Sequence, residues 1–211
     1  MTRPPKSPNA PRYHHGDLRR ALLEAAAKAP DIENISLREL ASGLGVSAAA
    51  VYRHFDGREA LLGELAALGI AQLTQCFAAV FDLTIAPANA AEAIERLQRL
   101  GVAYIRFADE QPALWRLIFG VHAAQARANA LQAETPTSYS YLPAALQGLY
   151  RTGVIAAPPD AGDVLFTWST VHGAASLRVG NVAPAQGNLE QVGAEVMRRV
   201  LRGLGVTRAR P

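Results

Sequence analysis

Cysteine is almost absent from this chain: Cys76 is the only one in 211 residues. A lone thiol cannot close an intramolecular disulfide, and without others it cannot build a zinc site. Within Leu73-Thr74-Gln75-Cys76-Phe77 it reads as a small buried hydrophobe rather than a redox sensor. Runs of alternating β-branched residues are missing too, so the expected class is all-α. The opening MTRPPKSPNAP lacks the apolar segment of a secretion signal. No apolar run stands out as long enough to span a bilayer, so the chain reads as soluble and cytoplasmic, with no membrane partner. Catalytic groupings are absent as well. There are no paired carboxylates, no nucleophile beside a base and no glycine-rich phosphate loop. Ser169 stands alone, and an enzyme using His172 as a base has nothing else to support it. No cofactor or metal is expected, since the adjacent His14 and His15 lack ligand spacing.

What the chain does have is apolar mass and a basic opening. Half of the residues are hydrophobic, enough for a core, and the formal net charge is +3. Arg3, Lys6, Arg12, Arg19 and Arg20 face only Asp17 within the first twenty residues, so the opening is more positive than the chain as a whole. A basic segment permits nucleic-acid binding without proving it. Residues 1–11 form a Pro-rich arm that reads either as a solvated tail or as an arm touching DNA.

The most informative stretch is Ile35 to Phe55, ISLRELASGLGVSAAAVYRHF. Ser36 with Glu39 has the spacing of a capping box. Leu37, Leu40, Ala41 and Leu44 make one helical face. Gly43 and Gly45 end that helix, and Gly45 falls where the chain reverses. Ser47 then caps a second helix, Ala48 to His54, with Val51 and Phe55 turned inward. Ala48, Ala49, Ala50, Tyr52, Arg53 and His54 are left facing outward. Small outer side chains let a helix approach another surface closely. That is the helix-turn-helix pattern, in which the second helix enters the major groove of DNA. The spacing alone fits an ordinary helical hairpin equally well.

A first helix, Leu18–Ala29, is expected to be capped by Asp17 and ended by Pro30. A fourth should run from Gly57 or Arg58 to Asp82, apolar on more than one side and so buried on more than one side. Later helices are expected at Ala90–Asp109, Ala113–Val121, Pro136–Arg151, Ala161–Val179 and Leu189–Leu204. Residues 122–135 are alanine- and glutamine-rich and weakly patterned, a helix at most, and are not counted among the assigned elements. The sum is about nine helices, with Val192, Val196, Val200 and Leu204 on one stripe of the last. His172 lies on an apolar helix and needs a partner. It reads as a core histidine bonded to a carbonyl or hydroxyl, or as a group facing a ligand.

Ile35-Ser36-Leu37-Arg38-Glu39-Leu40-Ala41, Gly45-Val46-Ser47, Val51-Tyr52-Arg53-His54-Phe55 and Arg58-Glu59-Ala60-Leu61-Leu62 together resemble the DNA-binding segment of the TetR family of bacterial regulators. Arg58 stands where that family often has lysine. Trp168-Ser169-Thr170-Val171-His172-Gly173 is similar to the signature of the WHG-type C-terminal domain found in one subgroup. The resemblance implies a DNA-binding head over residues 1–57 and a helical ligand-binding and dimerisation domain over 58–211. It implies a homodimer through the last two helices, a palindromic double-stranded operator and a small-molecule effector that releases a repressor. A ligand-independent or architectural DNA binder is the alternative. Candidate DNA-binding residues are Arg38, Ser47, Ala48, Ala49, Ala50, Tyr52, Arg53, His54 and Arg58. Candidate ligand-binding residues are Phe77, Tyr104, Phe107, Trp115, Phe119, Tyr139, Trp168 and His172.

Overall fold

Apolar residues recurring at helical spacing account for nearly every regular element of the computed structural model, which describes residues 15–29, 31–182 and 188–206. Ten α-helices and one 3₁₀ turn, Val121–Ala123, occur among the described residues. They are α1 His15–Ala27, α2 Leu37–Gly43, α3 Ala48–Tyr52, α4 Arg58–Ala78, α5 Ala90–Glu110, α6 Pro112–Phe119, α7 Ala124–Leu131, α8 Ser138–Arg151, α9 Ala161–Val179 and α10 Leu189–Gly203. The N-terminal arm, the termination by Pro30 and the basic tail lie outside the described residues.

The helix beyond the expected nine is α7. Its sequence, AQARANAL, has no apolar stripe and no fully buried residue, so periodicity could not announce it. Several boundaries also moved. Asp17 falls inside α1 rather than capping it. Helix α4 stops at Ala78 rather than Asp82. Pro112 occupies the first turn of α6, where its missing N–H costs nothing. Helix α8 starts after Thr137, whose side chain and that of Ser140 satisfy each other's backbone. Pro143 sits inside α8 and denies the Tyr139 carbonyl its intrahelical bond.

Helix α4 is the central element. It packs on α1 at one end and against α5, α6, α7 and α8 over the rest of its length. Leu61, Leu62, Leu65, Ala66, Ile70, Leu73 and Phe77 are all buried along it. By length and hydropathy this helix could cross a membrane, which corrects the expectation that no run is long enough. Its burial among six partner elements identifies it instead as a core helix. One buried cluster runs without a break from Leu22 of α1, through Val51 and Phe55, to Met197 of α10. Cys76 is half-buried at the edge of that cluster, and burial pushes its thiol above the ordinary value.

The stripe that α10 turns toward the core shares only Val200 with the apolar stripe read from sequence. Gly193, Met197, Val200 and Leu201 face the core, while Val192, Val196 and Leu204 are only half-buried. The reason is Val102 of α5, which comes so close to Gly193 that a Cβ there would sit 2.9 Å from its Cγ2. Only glycine lets the two helices meet at that register.

The two glycines inside α4 have opposite roles. A Cβ on Gly69 would lie 2.6 Å from Ile118 Cγ2 and 2.9 Å from Leu114 Cγ, both branched and buried on α6. A Cβ on Gly63 would meet nothing within 4 Å. Gly69→Ala should therefore destabilise by about 1–3 kcal/mol through overpacking. Gly63→Ala should stabilise by about 0.5–1 kcal/mol, because alanine loses less backbone entropy in a helix. Denaturant midpoints of the two variants, measured side by side, check both signs.

Candidate functional site

The head is built around a reversal between α2 and α3. Gly45 has φ +67°, a conformation glycine reaches without a Cβ clash. The Val46 N–H donates to the Ala41 carbonyl at 3.0 Å and closes the turn. Ser36 Oγ accepts from the Glu39 N–H at 3.3 Å, and Ser47 Oγ accepts from the Ala50 N–H at 3.2 Å. Each such cap is worth about 1 kcal/mol. The return bond from the Glu39 side chain is not formed, so only half of the anticipated capping box exists. Val51 and Phe55 are buried and fix α3 against the rest of the head.

Arg19 does not belong to a free basic face. Its guanidinium lies 5.1 Å from the centre of the Phe55 ring and pairs with Glu64 at 2.6 Å, tying α1 to α4 across the base of α3.

Arg38, Ser47, Ala49, Tyr52, Arg53 and Arg58 are exposed, and Ala48 and His54 are half-buried. Ala50 is the exception. It is 7% exposed and faces the core, so the outward surface of α3 is narrower than three alanines would make it. Arg38 and Arg53 form no ion pair among the described residues. Arg58 Nη2 reaches Glu59 Oε1 at 3.5 Å.

A second site lies inside the helical body. A cavity of about 450 Å³ opens among α4 to α10. Its walls include Ile70, Leu73 and Phe77 of α4, Tyr104 of α5, Ile118 and Phe119 of α6, and Arg127 and Leu131 of α7. Tyr139 and Pro143 of α8, Thr167 and Trp168 of α9, and Met197 of α10 complete it. Leu131 is 64% exposed, so the lining reaches the surface beside α7.

Five of the eight residues singled out from sequence line this space: Phe77, Tyr104, Phe119, Tyr139 and Trp168. Phe107, Trp115 and His172 do not. Phe107 is buried elsewhere in the core. Trp115 and His172 form the layer behind the wall, stacked with ring centres 4.9 Å apart. His172 Nδ1 lies 2.7 Å from the Tyr104 hydroxyl, so the histidine has the hydroxyl partner that its place on an apolar helix requires. Burial pushes the imidazole below its ordinary value and the phenol above its own. Both shifts favour the neutral form, and His172 braces Tyr104 from behind. A Cβ on Gly173 would meet nothing within 4 Å among the described residues.

Sequence reading missed three groups. Arg127 and Thr167 both line the cavity. His122, in the 3₁₀ turn, sits with Nδ1 2.6 Å from Glu59 Oε2 at the start of α4. That hydrogen bond holds Glu59 below the usual carboxylate range. A lone arginine in an alanine-rich stretch was the available signal for Arg127. Nothing in the pattern marked the other two.

The chain matches two family models. Residues 22–65 match the N-terminal model of bacterial regulatory proteins of the tetR family, and residues 97–204 match the tetracyclin repressor-like C-terminal domain. Among curated proteins none matches. Of solved structures, a protein of unknown function from Rhodococcus sp. RHA1 is 28% identical, with TM-score 0.70 over 91% of this chain and 97% of its own. The TetR-family regulator PfmR of Thermus thermophilus is 22% identical, with TM-score 0.63 over 86% of this chain and 97% of its own. AibR, solved with isovaleryl coenzyme A and operator DNA, is 19% identical, with TM-score 0.60 over 86% of this chain and 96% of its own. The helix-turn-helix head, the all-α body and both model matches agree: the chain belongs to the TetR family of transcriptional regulators, with a C-terminal domain of the WHG type.

Proposed function

We propose that this regulator is a homodimeric repressor, released from a palindromic operator when a small apolar molecule enters the cavity. One observation carries the reading. Helix α4 supports the head through the Arg19–Glu64 pair, and the same helix gives Ile70, Leu73 and Phe77 to the cavity wall. A molecule that prefers one position of α4 must therefore prefer one spacing of the two heads. It shifts the equilibrium only by its differential affinity for the two states. AibR, of the same fold, was solved with both a small molecule and operator DNA.

The division of labour follows the chain. Residues 1–57 act as the DNA-binding head and 58–211 as the ligand-binding and dimerisation domain. Arg38 and Arg58 contact phosphates, helped by Tyr52, His54 and the N-terminus of α4, where Gly57 provides no side-chain cap. Ser47, Ala48, Ala49 and Arg53 face the groove. Alanine methyls suit contacts to thymine methyls better than hydrogen-bonded readout. Leu165, Phe166, Trp168 and Leu177 leave an apolar face exposed on α9, and the half-buried Val192 and Val196 add to it from α10. A second copy covers that face. Two heads then read half-sites about 34–36 Å apart, or a multiple of that spacing.

The route from cavity to head is short. Ile118 and Phe119 line the cavity, Gly120 follows, and His122 grips Glu59 beside Arg58.

Selection of sites from random duplex DNA should return a palindrome with a steep salt dependence. Arg38→Ala and Arg58→Ala should each weaken binding evenly across sequences and lower the salt slope by about 1. Weak binding without sequence preference would rule out the specific repressor. A palindrome whose affinity no apolar molecule alters would favour a constitutive DNA binder instead. His122→Ala should leave operator affinity without effector nearly intact. It should change the effector's power to release DNA by about 0.5–2 kcal/mol, read from operator affinities with and without effector.

A further inference from the structure

Among the described residues lining the cavity only Arg127 is an ion. Its Nη1 donates to the carbonyls of Ile118, at 3.1 Å, and Gly120, at 2.7 Å. These carbonyls end α6, where a cation is favoured. Both Nη1 hydrogens are spent there, and the guanidinium is held in place. Nε and Nη2 keep three N–H donors. They make no hydrogen bond among the described residues, and Arg127 has no carboxylate within ion-pair distance. A guanidinium cannot shed its proton to escape such a setting. A half-buried, immobilised and unpaired charge against an apolar cavity is therefore a strong anion receptor.

Two further groups complete the receptor. Tyr139 lines the same cavity from α8, and burial pushes its phenol above the ordinary value, an effect that the Arg127 charge partly offsets. Its hydroxyl makes no hydrogen bond among the described residues and so is a free donor. On α9, Thr167 also lines the cavity at 2% exposure, and its Oγ1 has no hydrogen-bond partner among the described residues. A buried hydroxyl left this way costs free energy that a ligand oxygen can recover.

We propose that the effector is a free monocarboxylic acid with a large apolar body, its carboxylate seated on Arg127 and Tyr139. A ligand hydroxyl or carbonyl, where present, meets Thr167. This rests on reading the cavity as the effector site and adds the ligand's chemical class. One cation calls for one anionic group. A coenzyme A ester has a neutral thioester carbonyl where the free acid has its carboxylate and carries its charge on phosphates far from the apolar body, so the free acid and its coenzyme A ester are distinguishable ligands.

The test is calorimetric titration of the full-length protein with decanoate, decanol and decanoyl coenzyme A. Decanoate should bind about tenfold or more tightly than decanol, the margin of a charge-assisted hydrogen bond. Arg127→Gln should lower decanoate affinity far more than decanol affinity and so erase the preference, while an unchanged helical circular dichroism spectrum and thermal midpoint report that the variant folds. Arg127→Lys should keep part of the preference, and Tyr139→Phe should reduce it. Equal binding of decanol and decanoate would overturn the carboxylate anchor while leaving an apolar effector site intact. A preference that survives Arg127→Gln would overturn the role of this residue. Tighter binding of decanoyl coenzyme A than of decanoate would overturn the ligand class. Binding of none of the three would overturn both the anchor and the reading of the cavity on which it rests.

Discussion

The burial of α4 on two sides is the constraint on which the rest of this structure depends. A helix with one apolar stripe can be shifted against its single neighbour at little cost. A helix held by α1 at one end and by four other helices along its length cannot move without disturbing both ends. Gly69 tightens that constraint by letting Ile118 and Leu114 close directly on the α4 backbone. Packed interiors are dense enough that such displacements occur between discrete arrangements rather than by continuous flexing. The head, the cavity and the link between them are three aspects of how one helix is buried.

Helix α9 carries a similar double load. Trp168 lines the cavity and is also 39% exposed, beside Leu165 and Phe166 on the outer face. His172, one turn further on, backs Tyr104 from behind the wall. The Trp…His-Gly signature therefore has a physical content. The tryptophan belongs to wall and surface, the histidine fixes the phenol across the helix interface, and a Cβ on the glycine would meet nothing within 4 Å among the described residues.

The head was the most legible part of the sequence, because the inward positions Val51 and Phe55, the serine caps and Gly45 are all local signals. Ala50 was misread because an alanine carries no pattern of its own; only the tertiary packing of α3 decides that it turns in. The class of the second domain was also readable, since α5, α9 and α10 have side-chain caps and α5 and α10 carry clear apolar stripes. The cavity was not. Periodicity says which face of a helix turns inward, not whether that face meets another side chain or a space. Hence Phe119 and Tyr139 line the cavity while Phe107 and Trp115, equally apolar, belong to solid core. Arg127 and His122 escaped notice because both lie in the weakly patterned segment, whose roles are set by neighbours distant in sequence.

The shared wall has a consequence for what such a sensor reports. Coupling between two binding sites is reciprocal: whatever factor an effector takes from DNA affinity, DNA takes from effector affinity. On the function proposed above, the protein resting on its operator is a poorer detector than the same protein free in solution. The concentration at which a gene responds is then set partly by the DNA. A tighter operator raises the threshold of its own repressor, so several promoters can answer one molecule at graded doses without any change in the protein.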